Sequence, residues 1–303
     1  MRFAVRLPTD RVDRGEEFVG AEAIAELARG AEEAGFGSCF VTDHPFPVER
    51  WLRGGGHHAL DPFVALSFAA AATRTIRLQT HILVLPYRNP FVTAKSVLTL
   101  DVLSGGRVTL GVGGGYLQGE FAALGANFEH RNEVSDEAIR AMKVAWTQDD
   151  VHFVGRHFEA RGNTMLPRPV QQPHPPIWVG GNTRRAIRRA VELGDGWIPF
   201  PNSQAMARYT RTDVLETDEQ LVTRLAYAQT HGESIGRTQP LDVCYSLGEP
   251  VGDELDPLRA LARARTLADL GVTWLAVGFP ADSRAGQLEQ MMRFGRDVIA
   301  PLR

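Results

Sequence analysis

The sequence predicts an α/β protein built as a closed (β/α)8 TIM barrel. Three observations carry that prediction. Short apolar runs that read as strands alternate with stretches of helical periodicity until eight strands are counted, which implies a parallel sheet covered by helices. The chain's 303 residues suit one large barrel, so a single domain spanning 1–303 is expected. An open dinucleotide-binding sheet is the competing architecture, but it needs a glycine fingerprint after its first strand, and Leu7-Pro8-Thr9-Asp10 carries no such glycines.

The elements follow in order. Residues 2–7 read as the first strand, and 21–33 as a helix with Ala21, Ile24, Leu27, Ala28 and Ala31 at helical spacing, closed by Gly35. Residues 38–42 are short and apolar, as a strand buried on both faces should be, and end in the polar cluster Asp43-His44-Pro45. After the loop Gly54-Gly55-Gly56-His57-His58, Asp61 caps a helix with Pro62 in its first turn, running to Thr73. Residues 76–84 give the third strand, Asn89-Pro90 opens the next helix towards Ser104-Gly105-Gly106, and 107–113 give the fourth.

Beyond Gly113-Gly114-Gly115-Tyr116 the alternation loosens into a short helical patch and a longer helix over 132–147. Residues 148–176 then read as an insertion within the barrel: a hairpin of 151–154 and 157–160 around Gly155-Arg156, followed by the proline-rich 167–176. The fifth strand ends in Ile177-Trp178-Val179-Gly180-Gly181-Asn182-Thr183 and enters a helix that starts Arg184-Arg185. Strands over 196–200, 241–246 and 273–277 complete eight, with helices over 218–231 and 257–270 between them. A last helix, 287–299, is expected to turn Leu288, Met291, Met292 and Val298 inward.

Composition narrows the function. A net charge of -3 argues against nonspecific nucleic-acid binding and favours small-molecule partners. Cys39 and Cys244 lie in apolar runs where a thiol packs as a small hydrophobe, so neither a disulfide framework nor a metal site is read. Met1-Arg2-Phe3-Ala4-Val5 reads as a strand rather than a signal peptide, and no apolar stretch is long enough to span a membrane; a cytoplasmic protein is expected.

Topology brings the chemistry together, because barrel enzymes place it at the carboxyl ends of their strands. Asp43-His44, Ile82-Leu83, Tyr116 and Gly180-Gly181 should therefore share one face. Gly180, Gly181, Asn182 and Thr183 with Arg184 or Arg185 suit a phosphate grip: free N–H groups at a helix start, a close backbone and a positive dipole end. The same residues also make an ordinary strand–turn–helix joint, and on spacing alone both readings stand. No carboxylate or thiolate completes a metal set around His57, His58 and His81, and the loop pair is expected to be solvated.

Taken together, several motifs in order resemble the luciferase-like monooxygenase superfamily, in particular its branch of F420-dependent oxidoreductases. They are Ala31-Glu32-Glu33-Ala34-Gly35-Phe36 leading to Val41-Thr42-Asp43-His44, Asn89-Pro90, Ser104-Gly105-Gly106-Arg107-Val108-Thr109-Leu110-Gly111-Val112-Gly113, and Val179-Gly180-Gly181 with Gly194-Asp195-Gly196-Trp197. The resemblance covers nearly the whole chain. It implies coenzyme F420, or alternatively FMN, across the barrel mouth, its phosphate held by Gly180, Gly181 and Thr183. It further implies a non-proline cis peptide propping the ring, at Ile82–Leu83, and His44 near the hydride-carrying carbon as proton donor or acceptor. Asp43 would orient His44, bond the ring or cap a turn, and Asn182 and Arg185 would join the cofactor site. A homodimer through the helices near 62–73 and 90–103 is implied as well; the faces that would join the copies could equally serve the barrel's own core.

One departure is informative. Sugar-phosphate dehydrogenases of the branch carry a glutamate directly after the fourth-strand glycines, where this chain has Tyr116, with Glu120 one helical turn further. With His44, Tyr116 and Glu120 are the candidate catalytic residues: Glu120 could face the same pocket, although an exposed carboxylate is the ordinary outcome; Arg131 could reach the cofactor or substrate, or form a surface ion pair, and Trp51 could wall the pocket or cover core. The activity expected is hydride transfer between a deazaflavin and a small organic substrate. The alternatives are an FMN-dependent monooxygenase, which alone would need a flavin reductase partner, a non-catalytic ring-binding protein, and a cofactor-free phosphosugar isomerase or aldolase.

Overall fold

In the computed structural model, which describes residues 1–247 and 256–303, the elements run β1 (Arg2–Arg6), α1 (Ala21–Glu33), β2 (Ser38–Val41), α2 (Glu49–Arg53), α3 (Pro62–Ala72), β3 (Arg77–Val84), α4 (Pro90–Ser104), β4 (Val108–Gly113), α5 (Gln118–Ala123) and α6 (Arg131–Thr147). The second half comprises β5 (Val151–Val154), β6 (Glu159–Asn163), β7 (Ile177–Gly180), α7 (Arg184–Leu193), β8 (Gly196–Ile198), α8 (Gln204–Thr210), α9 (Asp218–Ser234), β9 (Asp242–Ser246), α10 (Pro257–Asp269), β10 (Trp274–Val277) and α11 (Arg284–Phe294). Eight parallel strands close in the order β1-β10-β9-β8-β7-β4-β3-β2. Val5 closes the ring by pairing with Cys39 on one side and Val277 on the other.

The period-two alternation of the strands sorts their side chains into two cores. Outward residues such as Val5, Cys39, Leu78 and Leu110 join the apolar faces of the helices in one large cluster. Inward residues Ala4, Phe40, Trp178, Ile198, Cys244, Trp274 and Ala276 fill the barrel itself. Trp178 and Trp274 meet edge to face at 5.4 Å, a geometry that contributes about 1 kcal/mol beyond burial. Gly196 makes room for them, since a Cβ there would lie 2.4 Å from Trp178 Cδ1.

Several residues of the shared motifs hold the fold. The buried guanidinium of Arg107 donates to Ser104 O, Thr73 Oγ1, Ile76 O and Ala70 O, tying α3, α4 and β4 together below the barrel. Asp195 accepts the Ile177 amide at 2.8 Å and locks the start of β7 to the start of β8. Asp61 and Asn89 cap α3 and α4 as expected from their positions before proline.

Where the structure departs from the sequence expectation, a side chain decides. Residues 199–200 leave the strand because Asn182 accepts the Phe200 amide and donates to the Phe200 carbonyl. The hairpin's return strand starts at Glu159 rather than 157, because the Glu137 carboxylate takes the amides of Arg156, His157 and Phe158. Ser283 caps α11, so that helix begins at Arg284 and ends at Phe294, with a wider turn over Gly295–Ile299. Met291 and Val298 are buried but Met292 is exposed, so the inward face is narrower than expected. The short helices α2 and α8 had no periodic signal. No helix among the described residues is long and apolar enough to cross a membrane.

The third strand is irregular where the site begins. Its register with β4 shifts between Thr80 and Leu83, and the cis peptide is His81–Ile82, one bond before the expected Ile82–Leu83. Glycines on β4 admit this detour: a Cβ on Gly111 would come 2.1 Å from Thr80 O, and one on Gly113 2.4 Å from Ile82 Cδ1.

Candidate active site

The carboxyl end of β2 delivers His44 into a hydrogen-bonded pair. Its Nδ1 lies 3.2 Å from Glu120 Oε2. Glu120, on the first turn of α5, is fully buried; it also accepts the Phe46 amide at 2.9 Å and the Tyr87 hydroxyl at 2.9 Å. Burial alone would raise its pKa, but these donors outweigh it and hold the carboxyl below its ordinary range. An ionised carboxylate only accepts, so His44 Nδ1 donates to it, which leaves Nε2 as the acceptor whenever the ring is neutral. Of the two readings open for Glu120, the structure has the pocket-facing one: buried Leu117 leads into α5 and turns the carboxylate inward.

Aromatic rings enclose His44. Centroid distances are 4.5 Å to Trp51, 4.9 Å to His57 and 6.1 Å to Tyr116. His57 donates from Nδ1 to the His58 carbonyl at 2.9 Å, and burial pulls its pKa down. It is a wall of the site rather than the solvated loop residue its glycine-rich surroundings suggested. Burial, with Glu120 nearby, pushes Tyr116 up to about 12, so its hydroxyl stays protonated.

Asp43 takes a different part from the one expected. Its buried carboxylate accepts the Val84 amide at 2.9 Å and Arg88 at 3.0 Å, binding the end of β2 to the exit of β3. Burial, only partly offset by Arg88, raises its pKa. Orientation of His44 falls to Glu120 instead. Of the pair Ile82 and Leu83, Leu83 is buried in the outer core, while half-buried Ile82 bridges the barrel interior and the cluster of Val84, Phe121 and Phe128. A Cβ on Gly180 would meet Ile82 Cγ2 at 3.1 Å.

The turn from β7 into α7 is mostly occupied by its own contacts. Asn182 is fully buried, donating to Phe200 O and Asp213 O. Thr183 Oγ1 caps Ala186, and Arg185 pairs with Glu133 at 3.0 Å and Asp136 at 3.2 Å. Asn182, expected at the cofactor, therefore builds the turn, and Arg185, expected there too, ties α7 to α6. Gly181 gives its amide to Ile198 O and holds φ at +121°, a glycine conformation. The amides of Thr183, Arg184 and Arg185 have no protein acceptor among the described residues. Arg131 lies over Phe128, 3.9 Å from the ring centroid, with Arg211 on the same ring at 4.8 Å.

This mouth fits a flat ring with an anionic tail. Ile82 offers an apolar platform, Thr42 Oγ1 is a buried hydroxyl without a partner at the end of β2, and free amides and cations gather at the start of α7. Tyr87, Phe128 and Arg211 carried no sequence signal: Tyr87 is 33 residues from Glu120. Among the described residues no three His, Cys, Asp or Glu side chains gather as a metal site.

Residues 1–230 match the luciferase-like monooxygenase family, and the chain belongs to it. It is 29% identical over 333 residues to an F420-dependent glucose-6-phosphate dehydrogenase of Amycolatopsis mediterranei, covering 95% of this chain and 96% of that one. It is 35% identical over 182 residues to an FMNH2-dependent dimethylsulfone monooxygenase of Pseudomonas putida, covering 59% of this chain and 48% of that one. The fold is that of the monooxygenase RslO1 from Streptomyces bottropensis, with a TM-score of 0.83 at 21% identity and full coverage of both chains.

Proposed function

We propose that this member of the luciferase-like monooxygenase family moves a hydride between coenzyme F420 and a small organic substrate. The observation that carries the reading is the Glu120–His44 pair, a base with its tautomer fixed at the strand ends where such enzymes work. His44 Nε2 takes the hydroxyl proton of an alcohol as hydride leaves its carbon, and in the reverse direction returns that proton to the reduced product. Glu120 stabilises the imidazolium formed in between, as a buried carboxylate behind a histidine does. Trp51, His57 and Tyr116 enclose the imidazole and limit water. When bound, the deazaflavin supplies the carbon that accepts or gives hydride. Gly180, Gly181 and Thr183 would approach its phosphate, and Ile82 its ring.

The second reading is an FMN-dependent monooxygenase served by a flavin reductase, and the similarity to the dimethylsulfone enzyme favours it. Titrating the apoprotein with coenzyme F420 and, separately, FMN while following ring fluorescence decides between them. Preference for the deazaflavin supports hydride transfer; preference for FMN supports the monooxygenase, and binding of neither removes both. A non-catalytic ring-binding role would be indicated if His44→Ala left turnover unchanged with cofactor bound.

A homodimer through α3 and α4 belongs to the same proposal. Their inner rows, including Ala65, Leu66, Val97 and Leu98, serve the core, while Val64, Phe68, Val92 and Leu103 stay exposed beside a shallow apolar groove. Sedimentation of Val64→Lys as a monomer, against a dimeric parent, is the expected result.

A further inference from the structure

We infer that Tyr87 is a positioning residue for His44 and acts on it through Glu120: its hydroxyl takes a share of the carboxylate oxygen to which His44 Nδ1 donates, and so moderates the imidazole as a base. This deepens the hydride-transfer reading and rests on it for the reaction, while the hydrogen bonds stand without it. Three observations carry the inference.

The first is competition for one atom. Glu120 Oε2 receives the Tyr87 hydroxyl at 2.9 Å and His44 Nδ1 at 3.2 Å, while Oε1 receives the Phe46 amide at 2.9 Å. An oxygen shared by two donors offers each of them less negative charge, and the shorter bond belongs to Tyr87.

The second is that packing does not require the hydroxyl. The Tyr87 ring meets Phe121 edge to face at 4.6 Å, a place that a phenylalanine would fill as well. Phe121 is fully buried and next to Glu120 on α5, so the ring contact aims the hydroxyl at the carboxylate. Burial, with Glu120 close by, pushes the Tyr87 phenol far above its ordinary range, so it keeps its proton and remains a donor.

The third is the place of Tyr87 in the chain. Leu85–Tyr87 form one tight turn after β3, with Leu85 and Pro86 buried. Tyr87 reaches His44 through Glu120, and the next residue, Arg88, holds Asp43 at 3.0 Å. Two consecutive residues at the exit of β3 therefore hold the two consecutive residues Asp43 and His44 beyond β2.

A base for reversible transfer has to take a proton in one direction and release it in the other. Glu120 with no second claim on Oε2 would make His44 a stronger base and a poorer donor, and the Tyr87 hydroxyl holds it between these extremes. The other ionisable groups around the imidazole are His57, Tyr116, and Asp43 with Arg88; among the described residues none of them donates to Oε2.

Tyr87→Phe, made alone and together with Glu120→Gln, tests this, with melting temperatures to report folding. The His44 Nδ1–H proton resonance is read by NMR on the apoprotein, and kcat/KM is followed against pH for a small alcohol that the parent oxidises with coenzyme F420. Without the phenol hydroxyl the resonance should move downfield and the acid limb of the profile to higher pH. On that limb kcat/KM should fall about two- to tenfold, and on the plateau it should match the parent within about twofold. Added to Glu120→Gln, the same substitution should leave the resonance in place. A fluorinated tyrosine at position 87 keeps the ring and hydroxyl but donates more strongly; it should move both readouts the other way, and it decides the matter where Tyr87→Phe does not fold. A parental resonance or a parental profile in Tyr87→Phe overturns the inference. An equal shift in the Glu120→Gln background also overturns it, because the tyrosine would then act on His44 by packing. A parent that oxidises no alcohol with coenzyme F420 removes the hydride-transfer reading, while the resonance still decides whether Tyr87 acts on His44 through Glu120.

Discussion

Two sides of the same barrel mouth treat charge in opposite ways. Beside β2, Glu120 is buried and saturated by His44, the Phe46 amide and the Tyr87 hydroxyl. Around Phe128, Arg131 and Arg211 share a ring and lack a carboxylate within ion-pair distance among the described residues. A charge whose partners are already in place is preorganised: it can fix a tautomer and stabilise a transient cation without rearrangement. A cation without a carboxylate in contact is left to its aromatic ring, a carbonyl and solvent, and is not preorganised in that sense. The first side suits the proton handling proposed for it, so the contrast divides a preorganised side from one that is not.

The largest expected effect lies on the saturated side. Glu120→Gln keeps the volume but offers an amide to three donors, so the His44 tautomer is no longer dictated. Turnover should fall by about 10²–10⁴-fold, with cofactor affinity changed less than about threefold. Nitrogen NMR of the imidazole provides a readout independent of activity: the proton fixed at Nδ1 in the parent should redistribute in the variant. A variant with parental turnover and tautomer would remove the division.

The second prediction concerns acid. Glu120 has a depressed folded pKa, so its contribution to stability is complete above the unfolded value of 4.5 and is lost as pH falls through the lower folded value. The stability gap between the parent and Glu120→Gln, measured by denaturant unfolding, should narrow as pH drops below that point. Glu32 supplies a control outside the mouth. Burial opposes its ionisation, but the Thr75 and Ile76 amides and the Thr75 hydroxyl hold its pKa at about 2. Its contribution should vanish over the same descent, between the unfolded value of 4.5 and about 2, with no change in cofactor binding.

A smaller effect sharpens the other side. Arg185→Ala removes a cation already paired with Glu133 and Asp136, so affinity for a phosphorylated ring should change less than about threefold and stability by at most about 1 kcal/mol. A larger loss of affinity would mean that Arg185 reaches the ligand despite its two carboxylates. Thr183→Ala, which removes the cap on Ala186 at 3.2 Å, should cost about 1 kcal/mol in unfolding measurements. A larger fall in FMN affinity than in stability would show that the hydroxyl also reaches the ligand.

The barrel was legible in the chain, because strand and helix periodicities, the caps Asp61 and Asn89 before Pro62 and Pro90, and turn glycines are local signals. It also placed His44, Tyr116 and the Gly180-Gly181 turn at strand ends, since in a parallel barrel every strand delivers its carboxyl end to the same face. Tertiary structure decided which side chains there are free. Asp43 was claimed by Val84 and Arg88, Asn182 by Phe200 and Asp213, and Arg185 by two carboxylates on α6. Glu120 was drawn inward to His44 across 76 residues of chain, and Arg211 met Arg131 over Phe128. Periodicity reports which face of an element is apolar, but a polar side chain's role depends on whether another group satisfies it. Those partners arrive from distant elements, so the pairing exists only once the barrel has closed.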